Sequence, residues 1–307
     1  MNVITSIESA SRIRREVVLS IGNFDGLHRA HSRILEWTVR QARKTGAEAW
    51  ALTFSNHPLE ILKGKGPRLL TTAEEKLEYF RQAGLTGVLL VPFTRRFSRL
   101  RPQDFLGLLA RAMRIRFICV GDNFLFGSAN RGDPGLMART GKKLGFLLKT
   151  FPVLKDGKTG TIISSSAIRG LLAKGRVEEA RRLLGRPYSL TAAVVKGKRL
   201  GRRLGFPTLN FDLDEVGKSG KAVPHDGVYR TETVIEGRKS GRWPGLTYIG
   251  RKFPTKSRTI ETHLSGFRSD AYGLRATVRF LEFVRKPKVF RTEGGLRTAV
   301  RKDIEGR

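Results

Sequence analysis

The chain has 307 residues, 39% of them hydrophobic, enough for two packed domains, since single cores stop growing near about 250–300 residues. Lys and Arg number 59 against 27 Asp and Glu, a net charge of +32 that draws polyanions to the surface. The basic residues are nonetheless dispersed, with no block of like charge of the kind that marks a nucleic-acid-binding tail. Cys119 is the only cysteine, which excludes an intrachain disulfide and a thiolate metal cluster. No stretch approaches the roughly 18 apolar residues of a membrane span, and Met1 to Arg15 lacks the apolar core of a signal peptide. The expectation is a cytoplasmic enzyme with no membrane span and no specific nucleic-acid partner.

In chain order, Val17-Val18-Leu19-Ser20-Ile21 is a short apolar run ending at Gly22, and Ile34 to Ala42 has helical texture. Ala49 to Phe54 is a second strand candidate. Thr72 opens a helix, Ala73 to Gln82, that stops at Gly84, and Gly87–Val91 and Phe117–Val120 are further buried strands. This rhythm predicts an α/β, Rossmann-like parallel sheet. Ligands in such sheets sit at the carboxyl ends of the strands, where Gly22, Phe54 and Gly121 fall. Ala167 to Leu184 predicts one or two helices, capped by Ser164, Ser165 or Ser166 and stopped by Gly185.

After Pro187 the texture changes. Short alternating segments follow, Leu190–Val195, Gly227–Val234, Thr259–Leu264 and Leu274–Phe283, divided by Gly-rich turns and followed by a terminal helix, Leu296 to Ile304. That pattern predicts a small antiparallel barrel or sandwich. The boundary expected from texture is Arg186, giving domains 1–186 and 187–307.

Ile21-Gly22-Asn23-Phe24-Asp25-Gly26-Leu27-His28-Arg29-Ala30-His31 leaves a strand and opens a helix, which turns backbone N–H groups outward as a phosphate cradle. His28 and His31, three residues apart, share a helical face and can both donate to one polyphosphate. An isolated histidine would be packing or surface; the pair in this context points to function.

The run resembles the nucleotidyltransferase signature of bacterial riboflavin kinase/FAD synthetases. Thr53-Phe54-Ser55-Asn56-His57-Pro58 is similar to that family's Thr-Phe-x-Pro-His-Pro. Gly121-Asp122-Asn123-Phe124-Leu125-Phe126-Gly127, with Arg131-Gly132-Asp133, resembles its flavin-side segment, and Ile163-Ser164-Ser165-Ser166-Ala167-Ile168-Arg169 its Ile-Ser-Ser-Thr-x-Ile-Arg. The resemblance implies that FMN phosphate attacks the α-phosphorus of ATP and expels pyrophosphate. It implies that His28 and His31 contact the ATP phosphates, that Ser165, Ser166 and Arg169 hold the triphosphate, and that Asn123 places the reactants. Gly22, Asn23, Asp25 and His57 belong to the same site, Asp25 with the weaker case because it can serve simply to brace the turn. The sequence departs from the family at Ala30, where glycine is usual, at Asn56, where proline is, and at Ser166 in place of threonine.

In the second half, Gly197-Lys198-Arg199-Leu200-Gly201-Arg202-Arg203-Leu204-Gly205-Phe206-Pro207-Thr208-Leu209-Asn210 is glycine-rich but lacks the Gly-Lys-Ser/Thr of a Walker loop. It resembles the riboflavin kinase signature. The resemblance implies a loop over ATP carrying Gly197, Gly201, Arg202, Gly205 and Phe206, with Thr208 and Asn210 giving oxygens to Mg²⁺, a cation suited to hard oxygen ligands. Thr259-Ile260-Glu261-Thr262-His263-Leu264 resembles the family's Glu-x-His strand, which makes Glu261 the base for the riboflavin hydroxyl. Tyr248 stands where the family has asparagine, and Arg251-Lys252-Phe253-Pro254-Thr255 is a looser match to Arg-Pro-Thr. The implied partners are ATP, riboflavin and FMN, with flavoproteins as acceptors of FAD. The alternative is a basic RNA- or membrane-associated protein on the same scaffold with one activity retained.

Overall fold

Asn2–Ile4 (β1), Val17–Ile21 (β2), Glu48–Phe54 (β3), Gly87–Val91 (β4), Ile115–Gly121 (β5) and Leu147–Phe151 (β6) form one six-stranded sheet, every neighbouring pair parallel. The computed structural model describes residues 1–197, 201, 205–237, 241–251 and 258–306. Strand order is β1-β4-β3-β2-β5-β6. The chain steps from β2 through β3 to β4 in one direction and then places β5 on the other side of β2. That reversal opens a crevice at the carboxyl ends of β2 and β5, the usual ligand position in such sheets.

The strands read as apolar runs because both faces are covered. Leu19, Trp50, Leu52 and Ile118 enter one buried cluster, while their neighbours Val18, Ala49, Ala51 and Cys119 enter another. Helices Arg29–Thr45 (α1), Pro58–Lys63 (α2), Ala73–Gln82 (α3), Arg95–Ser98 (α4), Pro102–Ala112 (α5) and Pro134–Leu144 (α6) connect the strands. The first, α1, buries Ile34, Leu35, Thr38, Val39 and Ala42 along one stripe and ends at Gly46, whose φ of 67° few other residues tolerate. Its start lies at Arg29, earlier than apolar periodicity alone suggests, because its first turn carries the histidine motif instead of core residues. Thr72 and Glu75 form a reciprocal capping box at the head of α3.

The chain divides into two compact units, Met1–Ser165 and Ser166–Arg307. From the first unit's last residue onward, Ser165–Ala173 (α7) and Val177–Leu184 (α8) precede Tyr188–Val195 (β7), Thr208–Phe211 (β8), Leu213–Lys218 (α9), Gly227–Ile235 (β9), Arg242–Arg251 (β10), Arg258–Leu264 (β11), Arg275–Arg285 (β12) and Glu293–Glu305 (α10). The change of texture at Arg186 marks the entry into β7, whereas the division between compact units precedes the helical pair. The reason lies in a bulged stretch of β12: the Phe283 N–H is answered by the Glu178 carboxylate of α8 at 2.9 Å. Val177, Ala180, Leu183 and Leu184 of α8 are buried as well.

The six strands close into an antiparallel barrel, β10-β11-β8-β7-β12-β9. Closure removes the exposed edges an open sheet would leave. Inward positions alternate along β7 as Tyr188, Leu190, Ala192 and Val194. Thr231, Thr247 and Thr262 are fully buried and satisfy each other, with Oγ1–Oγ1 distances of 2.8 Å for Thr231–Thr247 and for Thr247–Thr262.

Candidate active sites

The first candidate site is the turn from β2 into α1. Phe24, Gly26 and Leu27 all have positive φ, at 48°, 82° and 41°. Two non-glycine residues in that region need a surround that fixes them. Asp25 supplies much of it. Its carboxylate is buried and accepts from the N–H groups of Leu70 (2.8 Å) and Thr71 (3.1 Å), while the Thr71 hydroxyl accepts from Gly26 N–H at 3.0 Å. Asp25 therefore braces the turn. Gly22 joins the turn to β3 through its N–H and the Leu52 carbonyl, 3.1 Å, and the Asn23 side chain lies exposed.

His28 is the N-cap residue of α1 and makes no side-chain cap to it. It stacks on His31 with ring centroids 3.7 Å apart and planes 15° from parallel, and the edge of Phe24 meets His31 at 5.1 Å. The three-residue spacing read from the sequence thus becomes one face-to-face pair. Ala30 lies within helical backbone.

His57 caps α2: its Nδ1 accepts from Leu59 N–H at 3.2 Å, which leaves Nε2 to carry the proton of the neutral ring. Asn56, where the resemblance expects proline, pairs in both directions with the backbone of Phe93, at 3.0 Å and 2.8 Å. A side-chain amide thus extends the join between the ends of β3 and β4. An open recess is lined by Asn23, Asp25, Asn56, His57, Thr71 and Lys76. Lys76 was not picked out by motif, and it is buried; burial lowers its pKa, with Asp25 opposing the shift.

After β5, Phe126 and Gly132 close a small antiparallel bridge, and Phe124 stacks on Phe126. Asn123 is exposed, with its Oδ1 folded back over Gly121, where an added Cβ would lie 3.1 Å away. Asp133 caps α6 by accepting from Leu136 N–H at 2.7 Å. The Ser165 hydroxyl donates to the Asp25 carbonyl at 2.8 Å, so the serine-rich motif meets the first turn at that residue. Ser166 and Arg169 belong to the second compact unit, where the Arg169 guanidinium donates to Ser166 Oγ at 3.3 Å. Cys119 is buried in the core of the parallel-sheet unit, its thiol pushed up to about 12 by burial, which makes it inert.

The second candidate site is a row across three barrel strands. Asn210 on β8 stands directly opposite Glu261 on β11, and Glu261 directly opposite Tyr248 on β10. Two residues along, Thr208 is paired with His263. Side chains two apart on a strand share a face, so Thr208, Asn210 and Glu261 present oxygens to one side, the hard donor set that suits Mg²⁺ with phosphate. The Thr259 hydroxyl donates to Glu261 Oε1 at 3.3 Å. His263 contacts the Pro207 carbonyl through Nδ1 at 2.9 Å and meets the Phe206 ring edge-on, tying down the entry to β8. Tyr248 lies along its own strand, its hydroxyl donating to the Arg251 carbonyl at 3.1 Å. Burial raises its pKa, with Asp226 and Glu261 adding to the effect.

Gly197 faces Asn210 so closely that a Cβ there would sit 2.3 Å from Nδ2, and one on Gly201 would meet the Phe206 carbonyl at 2.4 Å. At these two positions the absence of a side chain lets the backbone approach Asn210 and Phe206 closely. Gly205 has φ of +85°. Arg202, and residues 252–255 of the looser Arg-Pro-Thr match, lie outside the described residues.

A parallel α/β unit with a glycine-histidine turn at its switch point, followed by a closed barrel with an oxygen-lined strand row, defines a two-part nucleotide-handling enzyme. Comparison with known proteins makes that class specific. A family model described as FAD synthetase matches residues 10–167, and one described as riboflavin kinase matches 184–306. The chain belongs to the bifunctional riboflavin kinase/FMN adenylyltransferase family. Curated relatives of that name include one from Escherichia coli K12, 35% identical over 99% of this chain and 96% of the relative, and one from Haemophilus influenzae, 30% identical over 99% and 97%. A solved structure from Streptococcus pneumoniae, described as a macrolide-efflux protein, superposes with a TM-score of 0.87 at 25% identity, covering 99% of this chain and 98% of that one. Among the described residues, no helix of this chain is long and apolar enough to cross a membrane.

Proposed function

We infer that the chain phosphorylates riboflavin to FMN in the barrel unit and adenylylates FMN to FAD in the parallel-sheet unit. In the first reaction the riboflavin 5′-hydroxyl attacks the γ-phosphorus of ATP and ADP departs. Glu261 accepts the hydroxyl proton. In the second, a phosphate oxygen of FMN attacks the α-phosphorus of a further ATP and pyrophosphate departs. The protein's part there is to position reactants and offset charge moving onto the leaving group. His28 and His31 donate to the phosphates, with Gly22, Asn23, Ser165 and Asn123 lining the approach. The roles of Ser166 and Arg169 on the triphosphate, and of Arg202 over the kinase ATP, rest on their motifs.

The observation that supports this reading most is the presence of two local sets on separate frameworks: stacked His28 and His31 on one, and the Asn210–Glu261 pair with Thr208 on the other. Thr208 and Asn210 would hold Mg²⁺, whose charge offsets that of the ATP phosphates when bound. Asp25 is tied into Leu70 and Thr71 and braces the turn that carries the site. Dependence of both reactions on free ATP favours a cytoplasmic setting, with apo-flavoproteins as the proposed takers of its FAD.

The two activities should be separable. A fragment of residues 166–307 contains one whole compact unit and should convert riboflavin to FMN with ATP while making no FAD. Cutting instead at residue 187 removes α8 and the buried Val177, Ala180, Leu183 and Leu184, which should cost several kcal/mol of stability at about 1.5–3 kcal/mol per large apolar side chain. Thermal melting and a riboflavin assay on both fragments check this. A folded 166–307 fragment that leaves riboflavin unchanged would refute the assignment.

A further inference from the structure

Lys76 leaves the first half of α3 and is 8% exposed. Lysine is almost never buried so completely unless it is paired. Its Nζ donates to the carbonyl oxygen of Phe54 at 2.9 Å and to that of Asn23 at 3.4 Å. Those carbonyls belong to different strand-to-helix connections, the end of β3 and the turn that follows β2. The Thr53 hydroxyl donates to the same Asn23 oxygen at 3.1 Å. In a trans peptide the C=O and N–H point in opposite directions, so drawing the Asn23 carbonyl toward Lys76 and Thr53 turns the Phe24 N–H away from both. That peptide leads straight into the positive-φ run of Phe24, Gly26 and Leu27, and then to His28.

Burial desolvates the ammonium, a cost that its two carbonyl hydrogen bonds and the nearby Asp25 carboxylate offset. The side chain also lines the recess beside Asn23, Asp25 and His57.

We propose that Lys76 is a positioning residue for adenylyl transfer: its ammonium fastens the turn at Asn23 to the end of β3 and so holds the Phe24 peptide and the His28–His31 pair against the ATP phosphates. This rests on the reading that the parallel-sheet unit adenylylates FMN. Lys76 acts through the turn, and Thr53 is its partner at the same carbonyl.

The experiment uses the full chain, with FMN and ATP as substrates for FAD formation and riboflavin phosphorylation as the internal control. Lys76→Met should lower kcat/KM for FAD formation by about 100-fold, the scale of a misplaced reactant, with KM for ATP rising. FMN formation from riboflavin should stay within about twofold of the parent by that same separation of sites. Thr53→Val, which keeps Lys76 and the side-chain shape, should lower kcat/KM in the same direction by about tenfold, the effect of one hydrogen bond. Because both act on one oxygen, the double variant should lose less than the product of the two losses. Parent-level FAD formation by Lys76→Met, or by Thr53→Val if the methionine variant does not fold, would overturn the proposal. So would losses that multiply independently, or an equal fall in both activities. A parent protein that forms no FAD at all would instead remove the reading on which the proposal rests.

Discussion

Replacing Glu261 with glutamine should lower riboflavin phosphorylation by about 10²–10⁴, the usual cost of removing a general base, and leave FAD formation from supplied FMN unchanged. Glutamine keeps the size of the side chain and still accepts a hydrogen bond from Thr259, so the row Asn210–Glu261–Tyr248 retains its packing. What it cannot do is take a proton from the riboflavin hydroxyl. Thr208→Ala and Asn210→Ala should also slow the kinase step, but through weaker metal and ATP binding. Raising Mg²⁺ should partly restore those two and leave Glu261→Gln as slow as before. A glutamine variant that phosphorylates riboflavin near the parent rate, followed by chromatography of FMN, would remove Glu261 from the base role.

The largest effect expected in the other unit is at the stacked imidazoles. Replacing His28 or His31 with alanine should lower FAD formation by roughly one to three powers of ten, the range for a lost electrostatic donor to a charged transition state. Each ring is one face of a single stacked pair, so loss of either disrupts the donor set as a unit. FMN formation should persist at the parent rate. Assaying both products from the same purified variant decides the matter, because equal loss of the two would mean that the histidines serve the fold.

Much of this was legible in the sequence, for reasons visible in particular residues. The strands β2 to β5 announce themselves because most of their residues are apolar and buried from both faces, with interruptions such as Ser20 in β2 and the exposed Arg116 in β5 too few to mask the run. The His28–His31 pair is legible because a spacing of three is a local, helical relation. Other elements are hidden by their own chemistry. Strand β10 carries Pro244, Gly245 and Gly250, residues that normally mark a turn, and holds only because it is laddered on both sides by β9 and β11. Strand β6 is short, lies at the sheet edge and leaves Leu147 exposed, so no clean pattern marks it.

The site is hidden wherever it depends on distant partners. The brace at Asp25 requires Leu70 and Thr71, the fastening by Lys76 requires Asn23 and Phe54, and the Asn56 amide requires Phe93. None of those pairs has a local spacing to betray it. The attachment of α8 to the barrel is similar, since it turns on a bulge in β12 about a hundred residues downstream that frees the Phe283 N–H for Glu178.

One chain carries both reactions in sequence. Purified full-length protein incubated with riboflavin, ATP and Mg²⁺, sampled over time and resolved by chromatography, should show FMN rising first and FAD following, with ADP and pyrophosphate as the other products. Riboflavin that remains unchanged, or FMN that accumulates and never passes to FAD with excess ATP, would contradict it.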